Sequence, residues 1–297
     1  MIKNKKLFKN LICFFCVGFL TLIFVGIRFF QLMNLTNLET GVCSLNSFFD
    51  SCYTLLHVFF VAFSFLFFKY IYRPKFENFN LIKKNNVLGV LSCFISILVF
   101  INSFFIFSKT TPKSPISPPF NLMFFLTGVF LAVSFIIFSI YIVFNVDFLK
   151  FSLSLIFCSV FLWALVRLYS FVSTNSFLHY ATIEYKLNVL GLVFIFLFFY
   201  YFGRIVFNYR GSAASCGFLT FGFAAVFSVF ANVVPKLFLN FKVWFNAIKI
   251  EGSFFERNIN LLYFYNFNLV DFVLALFIFS FLIVSIFSNK ISENIKN

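Results

Sequence analysis

Eight apolar runs constrain this chain more than anything else in it. They lie near residues 11–30, 53–70, 87–108, 120–144, 151–172, 187–208, 213–234 and 268–288. Each has about the twenty residues that cross ~30 Å of hydrocarbon as an α-helix. Barrel strands would be half as long and would alternate apolar with polar residues, which these runs do not. In lipid every backbone polar group must be paired within the protein, and a helix does this inside each run. The expected fold is all-α: a polytopic transmembrane helix bundle of about eight helices.

Composition supports lipid as the solvent. Of 297 residues, 62% are hydrophobic and 11% charged, whereas a soluble domain is nearer half apolar and a quarter charged. The 58 Phe stand where Leu or Val would serve in most membrane chains, and carry little functional meaning.

The formal charge of +14 would suggest nucleic acid on a soluble protein. Here most Lys and Arg lie between the apolar runs, which is the pattern of topology signals, and no nucleic-acid partner is expected. Lys3, Lys5, Lys6 and Lys9 precede the first run, which is too long for a signal-peptide core and lacks a small-residue cleavage site. It reads as an uncleaved first transmembrane helix. With the N-terminus cytoplasmic, the inside segments hold 14 Lys and Arg and the outside loops 7. The expectation is a multi-pass cell-membrane protein with N- and C-termini cytoplasmic.

The connections differ in character. Residues 109–119 contain four prolines and should be extended, and Pro118-Pro119 bars a helix upstream of Phe120. Within residues 235–267, Leu237, Phe241, Trp244, Phe245 and Ile248 share one helical face and Lys242, Asn246 and Lys249 another. That pattern predicts an interfacial amphipathic segment near 236–250, with a packed or re-entrant segment as the alternative. Arg28 and Arg167 sit at similar depths in the first and fifth runs, which suggests two parallel four-helix halves, 1–150 and 151–297.

Those two arginines are the candidate site. A charge inside an apolar run costs free energy and marks a functional position unless it reaches the headgroups. Each lies ~25 Å from the cytoplasmic end of its helix at 1.5 Å per residue, near the outer interface. His57, Asp271, His179 and Glu184 fall at the same level. Arg28, His57, Arg167 and Asp271 are expected to line an outward-facing vestibule. Asp271 would then be the counter-ion of one arginine, leaving the other for a carboxylate, phosphate or lipid headgroup. His57 alone also reads as an ordinary interfacial histidine.

Cys13-Phe-Phe-Cys16 has C-x-x-C spacing, but no neighbouring charge or metal ligand would activate its thiols. Cys43 and Cys52 are the pair placed outside, where a loop disulfide can form. Cys93, Cys158 and Cys216 read as small apolar residues. With two histidines in the chain, a multi-histidine metal site is excluded within one copy. Phosphate-loop and serine-hydrolase signatures are absent, so neither an enzyme nor a cofactor is expected.

Ile27-Arg-Phe-Phe-Gln31 with Glu39-Thr-Gly41, Leu162-Trp-Ala-Leu-Val-Arg-Leu168, Phe198-Phe199 and Gly203-Arg204 resemble segments of a group of multi-pass membrane proteins of low-GC Gram-positive bacteria. That resemblance implies a bacterial plasma membrane and supplies no activity or ligand. Two functions suit the chain. One is binding or transport of a small anionic or amphiphilic solute, or a lipid headgroup, at the vestibule. The other is a non-catalytic accessory or membrane-organising subunit with a membrane-protein partner. In both the lipid bilayer is the surrounding partner.

Overall fold

The structure, a computed structural model, describes residues 2–35, 47–72, 85–108, 118–144, 149–174, 183–206, 212–248 and 269–292. They form eight helices: α1 Ile2–Leu35, α2 Ser47–Leu66, α3 Asn86–Ser108, α4 Pro118–Phe144, α5 Leu149–Thr174, α6 Ile183–Val206, α7 Ser212–Ile248 and α8 Leu269–Ser292. A π-helical segment, Phe67–Tyr72, continues α2. Six of the eight, α2, α3, α4, α6, α7 and α8, are long and apolar enough to cross a membrane. The described parts of α1 and α5 carry shorter apolar stretches, Val17–Leu32 and Ser154–Tyr169. The all-α bundle is as expected, and its apolar helices make this a membrane-embedded protein.

Local chemistry sets several boundaries. Asn85 caps α3, its side-chain oxygen accepting from the backbone N–H groups of Val87 and Leu88 at 3.1 and 3.2 Å. Pro118 opens α4 rather than preceding it. The first helical position suits proline, because its missing N–H would have had no partner there. α2 starts ahead of the apolar run, so Cys52 lies in helix rather than loop.

The largest departure from the sequence reading is α7. It runs unbroken for 37 residues through Pro235 to Ile248. The segment near 236–250, expected to be an interfacial helix, is helical up to Ile248 and continuous with α7. A proline costs one backbone hydrogen bond, which neighbouring groups in a packed membrane helix can replace. Side chains beyond Phe238 in α7 lie outside the described ones.

Consecutive helices run antiparallel. Phe107 meets Phe125 while Ser139 bonds Gly89 between α3 and α4, and Phe230 meets Phe272 while Gly222 meets Leu282 between α7 and α8. The odd-numbered helices thus finish at one end of the bundle, called here the arginine end.

α3 to α7 follow one another round an arc, each packed on the next. α8 lies inside the arc, against α3 and α7. Phe277 of α8 touches Phe135 and Phe138 of α4, and Phe281 touches Phe198 and Phe202 of α6. α1 and α2 rest on α7 from the other side. Packing therefore runs across residue 150 in both directions, α1 and α2 on α7 and α3 on α8.

α7 can occupy the middle because its residues are small. Ala224, Ala225 and Ala231 are fully buried. A Cβ on Gly217 would stand 2.5 Å from the Tyr201 ring, and one on Gly222 2.9 Å from Phe198 and Leu282. Without a hydrophobic drive between helices in lipid, close backbone approach is what holds them together. Of the α7 span 83% is buried, against 28% for α2, which faces lipid over most of its surface.

Candidate functional site

Buried polar groups are distributed unevenly along this bundle. Toward the far end the described buried polar side chains are hydroxyls, some bonded to a backbone carbonyl and one, Thr220 Oγ1, without a partner. Ser92 donates to the Leu88 carbonyl at 2.6 Å, and Ser139 to the Gly89 carbonyl across α3–α4 at 2.7 Å. Among the described residues, every buried side chain bearing a charge, amide or imidazole lies in the half at the arginine end. They are Arg28, Gln31, His57, Asn121, Arg167, Asn232, Lys236 and Asp271.

Two clusters stand out, on opposite sides of α7. In the first, Arg167 of α5 and Asp271 of α8 face each other with two parallel contacts. Nη1 donates to Oδ1, and Nη2 to Oδ2 at 3.0 Å. The planar guanidinium matches the carboxylate plane, and charge-assisted pairs of this kind are the strongest side-chain hydrogen bonds. The Arg167 guanidinium also lies over the fully buried Trp163 ring, 4.6 Å from its centroid. The indole face attracts the cation and shields it from lipid.

The second cluster joins α1, α2 and α7. Arg28 is fully buried, and its Nη1 donates to Gln31 Oε1 one turn on at 2.7 Å. Its charge reaches Tyr53 of α2. Tyr53 and His57 sit one turn apart, rings 5.3 Å apart, and both face Phe24 of α1 at 5.5 and 5.6 Å. Phe227 of α7 closes the group, 4.5 Å from His57 and 4.1 Å from Phe60. Tyr53 Oη and both His57 ring nitrogens are buried without a hydrogen-bond partner.

Between the clusters, Asn232 of α7 donates to Asn188 of α6 at 2.6 Å. Lys236, one residue past Pro235, is 2% exposed.

The structure thus brings Arg167 to Asp271 and Arg28 toward His57, with α7 between the two pairs. Both guanidinium groups are enclosed by protein rather than extended to the surface. His179 and Cys43 lie outside the described residues, as do the side chains of Cys13, Cys16 and Glu184. Cys52 is a half-buried free thiol. Cys93 and Cys158 are exposed on the bundle surface, and Cys216 is buried.

Sequence reasoning passed over Lys236, Gln31, Tyr53 and Trp163. Lys236 had a signal: Asn-Val-Val-Pro-Lys-Leu-Phe is apolar on both sides of the lysine. The seventh run, near 213–234, leaves Lys236 in the connection after it.

Chemically the layer is cationic. Its described buried ionisable groups are Arg28, Arg167, Lys236, His57 and Asp271. Such a set can hold an anionic group by charge and by directed N–H and O–H donors. Among the described residues no three His, Cys, Asp or Glu side chains come together to hold a metal ion. No known protein family, no curated protein and no solved structure matches this chain.

Proposed function

We propose that this membrane protein binds or transports a small anionic or amphiphilic solute at the arginine end of its bundle. The observation that carries this reading is the burial of Arg28, Arg167 and Lys236 toward one end of an interior whose other half, among the described residues, buries hydroxyls as its polar side chains. Buried cations in lipid are costly, and a bundle that buries three of them toward the same end has a use for positive charge there. The positive-inside pattern puts that end on the outer face of a cell membrane, with both termini cytoplasmic.

The test is thermal unfolding in detergent with three single-chain amphiphiles of equal length, one anionic, one cationic and one neutral. A ligand that binds the folded state stabilises it by RT ln(1 + [L]/Kd), about 2.7 kcal/mol at a hundredfold excess over Kd. The anionic compound should raise Tm well above the other two, and the Arg28→Gln/Arg167→Gln variant should lose that excess. Equal responses to all three would end the proposal. A chain serving only to organise a complex would show no such shift and would keep a partner through gentle purification.

A further inference from the structure

The seam between α1 and α2 has features that general membrane packing does not explain. The two helices are consecutive, yet among the described residues they approach each other backbone to backbone far less than each approaches α7. What bridges them is a set of rings: Phe24 from α1, Tyr53 and His57 from α2, and Phe227 behind. In that gap Tyr53 Oη and His57 Nε2 have no partner, although Tyr53 is 3% and His57 1% exposed. Other orphan atoms in the bundle, such as Ser103 Oγ, Trp163 Nε1 and Thr220 Oγ1, are scattered, whereas here two orphan donors stand one turn apart beside a buried guanidinium, where one external acceptor can serve both.

Depth identifies that acceptor. Arg28 lies seven residues before the end of α1 and Tyr53 six residues after the start of α2. At 1.5 Å per residue both are ~10 Å below the helix ends, with His57 a further turn toward the membrane centre. A phosphate against Arg28 and Tyr53 would put the ester carbonyl of a glycerolipid at the level of His57. A lipid would enter from the side by displacing Leu20, Ile27 and Val61, which pack at the margin of the cluster and are only partly buried. Beyond them Leu56, Phe59 and Phe63 of α2 are exposed to hydrocarbon.

We propose that the α1–α2 seam holds the phosphate headgroup of an anionic membrane lipid, with Arg28 and Tyr53 on the phosphate and His57 on the first ester carbonyl. This rests on the anion-binding reading above and narrows it to one cluster and one ligand class. The acyl chains lie along the exposed face of α2. Guanidinium and phenol are both donors, so the site prefers a doubly charged phosphate monoester to a headgroup that ends in a cation.

The experiment measures Tm of the detergent-purified full chain with dihexanoyl phosphatidic acid, dihexanoyl phosphatidylcholine or inorganic phosphate. Phosphatidic acid alone should raise Tm. Tyr53→Phe keeps the ring and removes the orphan oxygen. It should weaken the apparent affinity about tenfold, the loss expected for one hydrogen bond to a charged group. Arg28→Lys retains the charge and serves as the second variant, expected to weaken binding similarly by losing the planar fork. Ser139→Ala, at the far end of α3–α4, should change nothing. A shift given equally by inorganic phosphate would overturn the lipid assignment and leave anion binding standing. A phosphatidic acid shift that survives Tyr53→Phe and Arg28→Lys but disappears in Arg167→Gln would move the ligand to the other cluster and overturn this inference alone. No shift with either anion would remove both readings.

Discussion

Arg167 and Asp271 are 104 positions apart in the chain and form a two-pronged, buried ion pair between α5 and α8. The pair fastens the central helix to the arc around it at the arginine end, while Phe277 and Phe281 fasten it further along.

Breaking that pair from one side should cost more than removing it. Asp271→Asn leaves a buried guanidinium without its counter-charge, a defect of about 3–5 kcal/mol in protein interiors. The Trp163 face beneath Arg167 retains part of the stabilisation, so the low end of that range is expected here. In Arg167→Gln/Asp271→Asn two neutral amides can bond each other, and the double variant should be more stable than the sum of the singles predicts. Unfolding in detergent across the four-member cycle measures the coupling, expected at about 1–3 kcal/mol. Additive losses would show that the two residues act separately.

How far the sequence foretold this follows from which signals lipid leaves in a chain. The spans were legible because an apolar run long enough to cross a bilayer has few other uses. Arg28, Arg167 and Asp271 were legible because charges in such runs are rare. That Arg167 pairs with Asp271 depends on α8 lying inside the arc, an arrangement no local residue pattern encodes. The rings around His57 were hidden for a different reason. With 58 Phe in the chain, Phe24 and Phe227 look like every other phenylalanine, so their shared face left no mark. That α7 continues past residue 234 left no local mark, because a packed bundle can hold Pro235 inside a helix.

The glycines should divide by the space around them. Gly18 and Gly26 of α1 have nothing within 4 Å of a built Cβ, whereas Gly217 of α7 would place its Cβ 2.5 Å from the Tyr201 ring. Gly217→Ala must push α6 from α7, an overpacking cost of about 1–3 kcal/mol. Gly18→Ala and Gly26→Ala meet no obstacle and gain helix propensity, so they should fall within about 0.5 kcal/mol of the parent or above it. Thermal midpoints of the three variants settle the matter. A tolerated Gly217→Ala would mean that α6 and α7 are further apart than described.

Phe227→Ala should loosen α1 and α2 more than the rest. Its ring stacks on Phe60 at 4.1 Å and meets Phe24 at 4.6 Å and His57 at 4.5 Å. Removing it leaves a cavity where α1, α2 and α7 meet, with a loss of about 3–5 kcal/mol for a fully buried Phe. The readout is the maleimide reactivity of a single cysteine in a background free of the native thiols. A cysteine at Ala231, buried at the seam, should react faster in Phe227→Ala, while one at Leu274 in α8 should not. Equal acceleration at both sites would mean that the bundle opens as one unit.

Topology gives the broadest test, because the site and the function both depend on it. α1 ends at Leu35, α5 at Thr174 and α7 beyond Phe238, all at the arginine end, while α3 begins at Asn86 at the opposite one. Single cysteines at positions 35 and 174 should therefore react with a membrane-impermeant reagent from the same side, and one at position 86 from the other. On the proposed orientation, with 14 Lys and Arg inside and 7 outside, the first pair should be labelled from the exterior of intact cells. Labelling of 35 and 174 from opposite sides would break the common arginine end and with it any shared polar layer. Labelling of both from the cytoplasm would keep the layer and turn it inward, where the cationic groups would meet cytoplasmic anions and inner-leaflet lipids instead.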